Sequence, residues 1–298
     1  MSEWISLNGR LTPAAEASVS PLDRGFLYGD GVFETLRTYG GRPFRLTSHL
    51  DRLHSSARRL AIPWPEPRLS IDAEIGRTLE AARNAESAIR IMLTRGVGPI
   101  GYDPSGIAFP TLVVHVRPCP EPPPSARHEG VDVAIVSVMR TPAAALDPAI
   151  KSSNLLNNIL AWQEAHRLRV YEPILLNTAG QIAEGASSNL FVVQEGRLFT
   201  PPEQAGILQG ITRATVLDLA RGDGAVVEER ALEPDELRRA DEAFLTSTLK
   251  GVLPIRRCDG WPIHDGRPGP ITRRLMELYD AAAQAETKTG SSPGASFR

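Results

Sequence analysis

Alternation of apolar and polar residues predicts strands near the start of the chain, and apolar positions three or four apart predict helices. The octapeptide from Val32 to Tyr39 alternates in this way, and Gly40-Gly41 then closes a hairpin. Leucines recur on one face of a helix predicted over 48–60, which Thr47 or Ser48 can cap. Further elements predicted by the same patterns are a helix at 70–84 and strands at 88–95 and 110–116.

The second part of the chain mixes strand and helix patterns irregularly. No βαβ alternation is sustained, so the predicted fold class is α+β rather than a doubly wound parallel sheet. The predicted strands are 131–139, 172–177, 189–194, 197–200 and 242–248. The predicted helices are 152–169, 211–221, 235–240 and 269–284.

Five prolines within seven residues, at 118–124, indicate a stiff and extended stretch. We therefore predict a small N-terminal domain over 1–117, a proline-rich linker over 118–130 and a larger C-terminal domain over 131–285. A long surface loop inside one domain is the alternative interpretation of the prolines. The Ser/Gly/Thr-rich tail 286–298 is predicted to be disordered.

Composition narrows the classes of protein. The chain has 298 residues, of which 42% are hydrophobic and 23% charged, and a net charge of −2, which predicts neither a nucleic-acid partner nor an acidic membrane surface. It has no run of about eighteen apolar residues and no signal-peptide pattern at its start, so no membrane association is expected. Cys119 and Cys258 lie far apart, which predicts no metal site, no disulfide framework and a reducing cytoplasm.

One lysine and one glutamate have sequence surroundings that suggest chemistry. Lys151 follows the apolar Pro148-Ala149-Ile150, and Glu184 precedes Gly185 and a run of small polar residues. A lysine beside apolar groups can form a Schiff base, and a carboxylate beside a pyridine nitrogen keeps it protonated. A protein supplies these two groups to pyridoxal phosphate. A surface lysine at a helix start is the ordinary alternative for Lys151.

Three further segments are suited to bind phosphate. The segment 206–213 opens a helix, where the backbone N–H groups of Ile211 and Thr212 form an anion site. Hydroxyl groups cluster in Thr246-Ser247-Thr248, and Arg52 offers a planar guanidinium. Ordinary helix capping by Thr212 and a surface ion pair of Arg52 with Asp51 or Glu34 are the alternatives.

These residues fall within motifs that resemble the class IV aminotransferases, the fold type IV pyridoxal-phosphate enzymes. The similarity runs from about Ser20 to about Tyr279, nearly the whole chain. Motifs in the family's order carry it: Asp23 to Glu34, His49 to Ala57, Lys151 to Leu156, Glu184 to Phe191, and Gly206 to Arg213 with Thr246 to Pro254.

The resemblance implies a role for each matching residue. Lys151 is the Schiff-base lysine and proton shuttle, Glu184 pairs with the pyridine nitrogen and Leu208 packs on the ring. The phosphate is bound by a set of guanidinium, hydroxyl and backbone groups: Arg52, Ile211, Thr212, Thr248 and, beside it, Ser247. The family also implies two domains with pyridoxal 5′-phosphate in the cleft between them. It further implies a homodimer in which the other subunit lends part of the substrate pocket.

The residues expected to bind substrate are predicted from two subgroups of the family. The tyrosine, arginine and histidine that trap the carboxylate in D-amino-acid aminotransferases correspond to Phe33, Ile100 and Tyr102, so the standard trap of that subgroup is not expected. The segments Lys151 to Leu156 and Gln163 to His166 nevertheless resemble the same subgroup. Branched-chain aminotransferases carry an arginine at the position of Arg90, and Arg37 is a second candidate. We therefore predict Phe33, Arg37, Arg90 and Tyr102 as substrate-binding residues.

The resemblance implies a ping-pong transaminase that moves an amino group between an amino acid or primary amine and a 2-oxo acid. Aminodeoxychorismate lyase, which releases pyruvate, is the alternative suggested by the segment 94–102. A non-catalytic cofactor-binding protein is a third possibility, but it would need neither Lys151 nor Glu184.

Overall fold

The structure, a computed structural model, describes residues 2–67 and 69–289 and consists of two compact units. The first unit comprises the described residues up to Pro120, the segment Ile150–Asn154 and the residues from Ala283 onward. The second comprises Glu121–Ala149 and Leu155–Ala282. Both units contain helices and strands, in agreement with the α+β prediction. Of the predicted disordered tail, residues 286–289 continue the last helix, so the prediction is wrong for them, and residues 290–298 lie outside the described residues.

The first unit is built on an antiparallel sheet. Its strands are β1 (Trp4–Leu7), β2 (Arg10–Pro13), β3 (Gly31–Tyr39), β4 (Arg42–Pro43), β5 (Ser87–Thr94) and β6 (Thr111–Pro118). They are arranged in the order β2-β1-β6-β5-β3-β4. Its helices are α1 (Arg24–Tyr28), α2 (Leu46–Arg59) and α3 (Ile71–Ala82).

Alternation along β3 separates a core face from a polar face. Val32 and Leu36 are fully buried and belong to the same core cluster as the leucines of α2 and the isoleucines of α3. Phe33 and Arg37, at the intervening positions, lie on the opposite face because successive side chains of a strand alternate. The predicted strand is confirmed, and its polar face supplies candidate substrate-binding residues.

The predicted cap of α2 is wrong. The N-cap is Arg45, in the left-handed conformation with φ of 55°, and neither Thr47 nor Ser48 caps the helix because both lie within it. Phe44 is buried against the Tyr39 ring, with centroids 5.6 Å apart. The buried Phe44 side chain therefore fixes the chain just before Arg45, and α2 begins at Leu46 without a side-chain cap.

The proline-rich stretch is not extended throughout. Residues 124–129 form α4 (Pro124–Glu129), which begins with Pro124 at the first helical position. Proline is tolerated there because the first N–H groups of a helix have no partner inside it. The expectation of a uniformly stiff, irregular stretch is therefore wrong for these residues.

The second unit is built on a larger mixed sheet. Its strands are β7 (Val131–Ile135), β8 (Glu172–Leu176), β9 (Ile182–Gly185), β10 (Asn189–Gln194), β11 (Arg197–Thr200), β12 (Val227–Glu229), β13 (Glu242–Ser247), β14 (Gly251–Cys258) and β15 (Trp261–Pro262). They are arranged in the order β12-β11-β10-β13-β14-β7-β8-β9, with β15 paired to β14. The pairs β11–β12, β14–β7 and β7–β8 are parallel, and the others are antiparallel.

The other helices are α5 (Leu156–Leu168), α6 (Ile211–Gly222), α7 (Pro234–Arg238) and α8 (Pro270–Thr289). Apolar side chains of the central strands, among them Leu190, Leu245 and Leu253, form one fully buried cluster. Within the described residues, no helix is long and apolar enough to cross a membrane. In that same part of the chain, no group of three or more His, Cys, Asp or Glu side chains could hold a metal ion.

A buried carboxylate holds the start of α8. The Glu242 side chain is 6% exposed and accepts hydrogen bonds from the backbone N–H groups of Ile271 (3.0 Å) and Thr272 (2.7 Å). We expect Glu242→Gln to lower the free energy of unfolding by about 1–2 kcal/mol, because it removes a charge at the positive end of the helix. Urea unfolding followed by circular dichroism measures this. Glu277→Gln, on the exposed side of α8, is the matched control, and an equal loss in both variants would contradict the prediction.

Candidate active site

Lys151 lies in an extended segment before α5 and belongs to the first unit. Its carbonyl oxygen accepts a hydrogen bond from the Phe33 N–H (3.0 Å), and its own N–H donates to Ser56 Oγ (3.2 Å). The next residue, Ser152, forms an isolated bridge with Val32. The predicted helix start at residue 152 is therefore wrong by four residues. The backbone of the lysine is fixed to β3 and α2 instead.

Two cations lie against one aromatic ring on the polar face of this sheet. The Lys151 Nζ is 4.5 Å from the centroid of the Phe33 ring, and the Arg90 guanidinium carbon is 4.1 Å from it. Burial, and next the Arg117 guanidinium, lower the pKa of Arg90 from its usual range. Among the described residues, no carboxylate pairs with Arg90. This desolvated cation is suited to bind an anionic group of a ligand.

Arg37 and Tyr102, the other predicted substrate-binding residues, lie in different surroundings. Arg37 is buried on β3, with its guanidinium carbon 4.5 Å from the Tyr39 ring centroid. Tyr102 is 89% exposed in the loop after β5, and its ring packs on Tyr28 with centroids 5.8 Å apart. The structure thus brings Phe33, Arg90 and Lys151 together and places the Tyr102 ring on Tyr28.

The main chain of this loop is held by α1. Arg24 donates to the carbonyl oxygens of Gly101 (2.7 Å) and Tyr102 (3.3 Å), and the Gly101 N–H donates to the Tyr28 hydroxyl (2.9 Å). Asp30 holds the Arg24 guanidinium in turn, at 2.9 Å. The loop is therefore anchored through its backbone, and Ile100 stays 77% exposed.

Arg52, predicted to bind phosphate, is held by a buried carboxylate. Its Nε and Nη2 donate to the two oxygens of Glu34 at 2.6 and 2.8 Å, and His49 Nδ1 lies 2.7 Å from Glu34 Oε2. Burial alone would raise the pKa of Glu34, but the Arg52 guanidinium and the His49 hydrogen bond lower it to about 2. For His49, burial lowers the pKa below its ordinary value, which favours the neutral imidazole. The surface ion pair considered for Arg52 is in fact a buried one.

This cluster predicts loss of stability in acid. The carboxyl of Glu34 titrates at about 2 when folded and ordinarily at 4.5, so its contribution is complete above pH 4.5 and lost as the pH falls toward 2. The neutral His49 acts in the same direction below its ordinary value of 6.5. We expect the free energy of unfolding to fall by about 3 kcal/mol from Glu34 alone, in urea titrations between pH 5 and 2. In the Glu34→Gln variant, the free energy of unfolding should fall less steeply between pH 5 and 2. The same steepness as in the wild type would contradict a pKa of about 2 for Glu34.

Glu184 lies on β9, and both oxygens of its carboxylate have partners. Arg140 Nε is 2.9 Å from Oε1, while Oε2 accepts hydrogen bonds from the Leu208 N–H (3.0 Å) and from Asn189 Nδ2 (3.2 Å). The side chain is 7% exposed. These partners favour an ionised carboxylate in a fixed orientation.

Anion-binding groups lie in the same unit. Helix α6 begins after Gly210, which offers no side-chain cap, so the first N–H groups, including those of Ile211 and Thr212, remain available to an anion. A Cβ at Gly210 would lie 1.9 Å from Asn189 Oδ1, so only glycine fits there. Ser247 ends β13, and Thr248 begins the turn that follows. Close by in the chain, the buried Thr246 hydroxyl has no hydrogen-bond partner among the described residues.

The predicted site residues divide between the two units. Those in the first unit are Phe33, Arg37, Arg52, Arg90, Tyr102 and Lys151, and those in the second are Glu184, Leu208, Ile211, Thr212, Ser247 and Thr248. Sequence reasoning missed Arg140, which pairs with Glu184. A lone arginine just beyond an apolar strand was the available signal. Glu34 was considered as an ion-pair partner of Arg52, and the structure forms that pair in a buried position rather than at the surface.

The donor set fits pyridoxal phosphate. A fixed carboxylate suits a protonated pyridine nitrogen, and the uncapped start of α6 with the orphaned Thr246 hydroxyl suits a phosphate. Lys151 would hold the aldehyde carbon. The chain therefore supplies a group for each end of this cofactor.

Comparisons with known proteins show that the chain is similar to aminotransferases over nearly its whole length. The chain is 40% identical over 275 residues to a Methanocaldococcus jannaschii protein named provisionally as a branched-chain-amino-acid aminotransferase, covering 92% of this chain and 94% of that one. It is 33% identical over 283 residues to the D-alanine aminotransferase of Bacillus licheniformis, covering 95% and 98%.

Solved structures agree as well. The branched-chain amino acid aminotransferase of Escherichia coli superposes with a TM-score of 0.90 at 30% identity, covering 96% of each chain. A second branched-chain amino acid aminotransferase, solved with pyridoxamine 5′-phosphate, also superposes with a TM-score of 0.90 at 30% identity, covering 96% of this chain and 95% of that one. The fold of this chain is therefore one that holds a form of the same cofactor.

The family model for amino-transferase class IV matches residues 31–258, which include Phe33, Lys151, Glu184 and Thr248. With the fold, the paired carboxylate and the fixed lysine already described, this match shows that the chain belongs to the class IV aminotransferases, the pyridoxal-phosphate transaminases of fold type IV.

Proposed function

We propose that this aminotransferase acts on amino acids rather than on amines without a carboxylate, and that Arg90 binds the substrate carboxylate. The observation that carries the proposal is the position of Arg90. Its guanidinium lies on the same Phe33 ring as the Lys151 amine and has no carboxylate partner among the described residues. A desolvated guanidinium without a counter-charge gains most from a carboxylate.

Each protein group then has a defined task. Pyridoxal phosphate, when bound, supplies an electron-withdrawing ring. Lys151 would hold it covalently, and the free Lys151 Nζ would take the proton from the substrate Cα. Glu184, held by Arg140, keeps the ring nitrogen protonated. Arg52, the start of α6 and the hydroxyls of Ser247 and Thr248 bind the phosphate.

Titration of the holoenzyme with candidate donors tests the substrate class. We would add D-alanine, L-leucine, L-glutamate and (R)-1-phenylethylamine in turn and follow the near-visible absorbance of the bound cofactor. The expected result is bleaching by at least one amino acid, recovery with a 2-oxo acid, and no response to the amine. Bleaching by the amine alone would refute the proposal. The amino acid that acts also decides between D and L substrates.

Arg90→Met should raise the KM for the amino acid about 10- to 100-fold, because a charge-assisted hydrogen bond is lost. Steady-state rates with the best donor measure this. Arg117→Met is the matched control, since Arg117 is a half-buried arginine on the neighbouring strand β6. Equal increases in KM from the two substitutions would show that Arg90 affects the substrate only through the positive charge of the sheet and does not bind its carboxylate.

The lyase alternative receives no support from the relatives reported above, which are aminotransferases. Both reactions would use the same lysine and cofactor, so the cofactor spectrum alone does not separate them. Pyruvate release from aminodeoxychorismate without an amino acceptor would favour the lyase. Parallel initial-rate lines with two substrates are the expected result for the transaminase.

We also propose a homodimer in which exposed apolar loops of each subunit complete the other's substrate pocket. Several large apolar side chains in the first unit are exposed, and such patches commonly mark interfaces. They are Phe26, Val97, Ile100, Tyr102 and Phe109. Analytical ultracentrifugation of wild type and Phe109→Ser tests this, and a monomeric, active wild type would exclude it.

We further propose a location in the reducing cytoplasm. Both cysteines are free thiols, which such a compartment favours.

A further inference from the structure

A second buried carboxylate lies beneath the turn that follows Glu184. Glu172, at the start of β8, is fully buried, and its Oε1 accepts three hydrogen bonds. The donors are the Ser187 N–H (2.8 Å), the Ser187 hydroxyl (3.0 Å) and the Ser188 hydroxyl (2.9 Å). A Cβ at Gly185 would lie 2.8 Å from the same oxygen, so the turn closes directly over the carboxylate. Glu172 thus determines the path of the chain just after Glu184.

The other oxygen of Glu172 binds a lysine. Lys250 Nζ donates to Glu172 Oε2 and, at 2.9 Å, to the Ser187 hydroxyl, and it lies 5.2 Å from the Tyr171 ring centroid. The Lys250 side chain is 16% exposed. A buried ion pair with satisfied hydrogen bonds is costly to break, because the remaining charge then has no partner.

The choice of lysine at this position is unusual for this chain. The sequence contains 30 arginines but 3 lysines, of which Lys151 and Lys250 are two. Arginine presents a wide planar fork, whereas lysine places a compact point charge. One nitrogen donates both to the Glu172 carboxylate and to the Ser187 hydroxyl, which favours the compact ammonium of lysine over the guanidinium fork in a chain otherwise rich in arginine.

This ion pair connects two segments of the proposed cofactor site. Lys250 closes the turn after Ser247, with its N–H donating to the Ser247 carbonyl oxygen at 3.3 Å, and Thr248 lies within that turn. Glu172 holds residues 185–188, which follow Glu184 directly. The contacts of Lys250 with Glu172 and Ser187 therefore tie the hydroxyl turn to the segment after Glu184, in addition to the backbone pairing of Asn189 with Thr246.

We propose that the Glu172–Lys250 pair is a positioning element that sets the spacing between the phosphate-binding turn at Ser247–Thr248 and the ring-binding carboxylate of Glu184. This inference rests on the proposed roles of Glu184 and Thr248. Neither member of the pair is among the residues assigned to bind the cofactor, so both would act through the residues they hold. When either residue is removed, the two segments no longer hold a ring and a phosphate at the spacing found in one ligand. The gain in affinity that the phosphate gives to pyridoxal 5′-phosphate over pyridoxal is then smaller.

Binding of pyridoxal 5′-phosphate and of pyridoxal, which lacks the phosphate, to the full-length apoenzyme tests the proposal. We expect Lys250→Met and Glu172→Gln each to raise the Kd for pyridoxal 5′-phosphate about 30-fold, with a much smaller change for pyridoxal. The double variant should be no weaker than either single variant, since the two residues act as one unit. Lys250→Arg should not restore affinity, because the fork does not fit.

Thermal unfolding of each apoprotein separates positioning from simple loss of structure. Arg238→Met, which removes an exposed pair with Asp259, is the control for loss of an ion pair and should bind both ligands as the wild type does. Equal weakening of pyridoxal and pyridoxal 5′-phosphate, or wild-type affinity in Lys250→Met, would overturn the proposal. If Lys250→Met does not fold, Lys250→Arg supplies the same comparison of the two ligands. A wild type that binds neither ligand would refute the proposed function itself.

Discussion

Lys151→Ala should lose at least about 10⁴-fold in transaminase activity, the largest effect expected of any substitution. The side chain is assigned both the covalent link to the cofactor and the proton transfer, so no neighbouring group replaces it. Borohydride reduction of the wild-type holoenzyme followed by peptide mapping tests the first role directly. The label should appear on the peptide that contains Lys151.

The small number of lysines makes this test decisive. The chain has only Lys250 and Lys288 as alternatives, so labelling of either peptide would contradict the assignment. Lys288→Ala is the matched control and should keep wild-type activity. Equilibrium dialysis should show that Lys151→Ala still binds pyridoxal 5′-phosphate without a covalent link, since the groups around Glu184 are intact. Loss of all binding would instead indicate a misfolded variant.

Glu184→Gln should lower kcat about 10²- to 10³-fold. The neutral amide has nearly the same shape and can still accept the hydrogen bond from the Leu208 N–H, which lies 3.0 Å from the carboxylate. It cannot balance the charge of Arg140 or hold a proton on the ring nitrogen. Single-turnover absorbance measurements with the best donor isolate this step from substrate binding.

The control for this substitution is Glu203→Gln, which changes an exposed glutamate of the same unit. It should alter kcat by less than a factor of two. A similarly small effect at Glu184 would show that the pyridine nitrogen does not depend on this carboxylate. A large effect on KM alone would indicate a role in binding rather than in the reaction.

Local patterns predicted much of the fold. The alternation that predicts 32–39 is present in β3, and the apolar spacing that predicts 211–221 is present in α6, because both elements bury one face. Helix α4 was missed because proline was interpreted as an interruption, although it stands at the first helical position. Strand β9 was missed because four residues give too short a pattern.

Contacts between distant residues limited what could be predicted about the site. Lys151 and Glu184 have informative neighbours in sequence, but the partners that orient them do not. Arg140 reaches Glu184, and Lys250 reaches Glu172 from 78 positions away, through folding of the whole sheet. The bridge between Ser152 and Val32 likewise joins two segments with no shared pattern. Such pairings need the topology as well as the sequence.

The way Arg24 holds the loop at 101–102 has a consequence for how this enzyme can diversify. Its guanidinium binds carbonyl oxygens, which every amino acid possesses, so these contacts do not depend on the side chains at positions 100 and 102. Ile100 and Tyr102 project into solvent, at 77% and 89% exposure. Mutation at these two positions is therefore nearly neutral for folding of the subunit. In the proposed dimer, a saturation library there would vary the side chains presented to the partner's substrate pocket. Substitutions at positions 100 and 102 can therefore accumulate in natural sequences without loss of the fold, and later selection can act on what the loop binds.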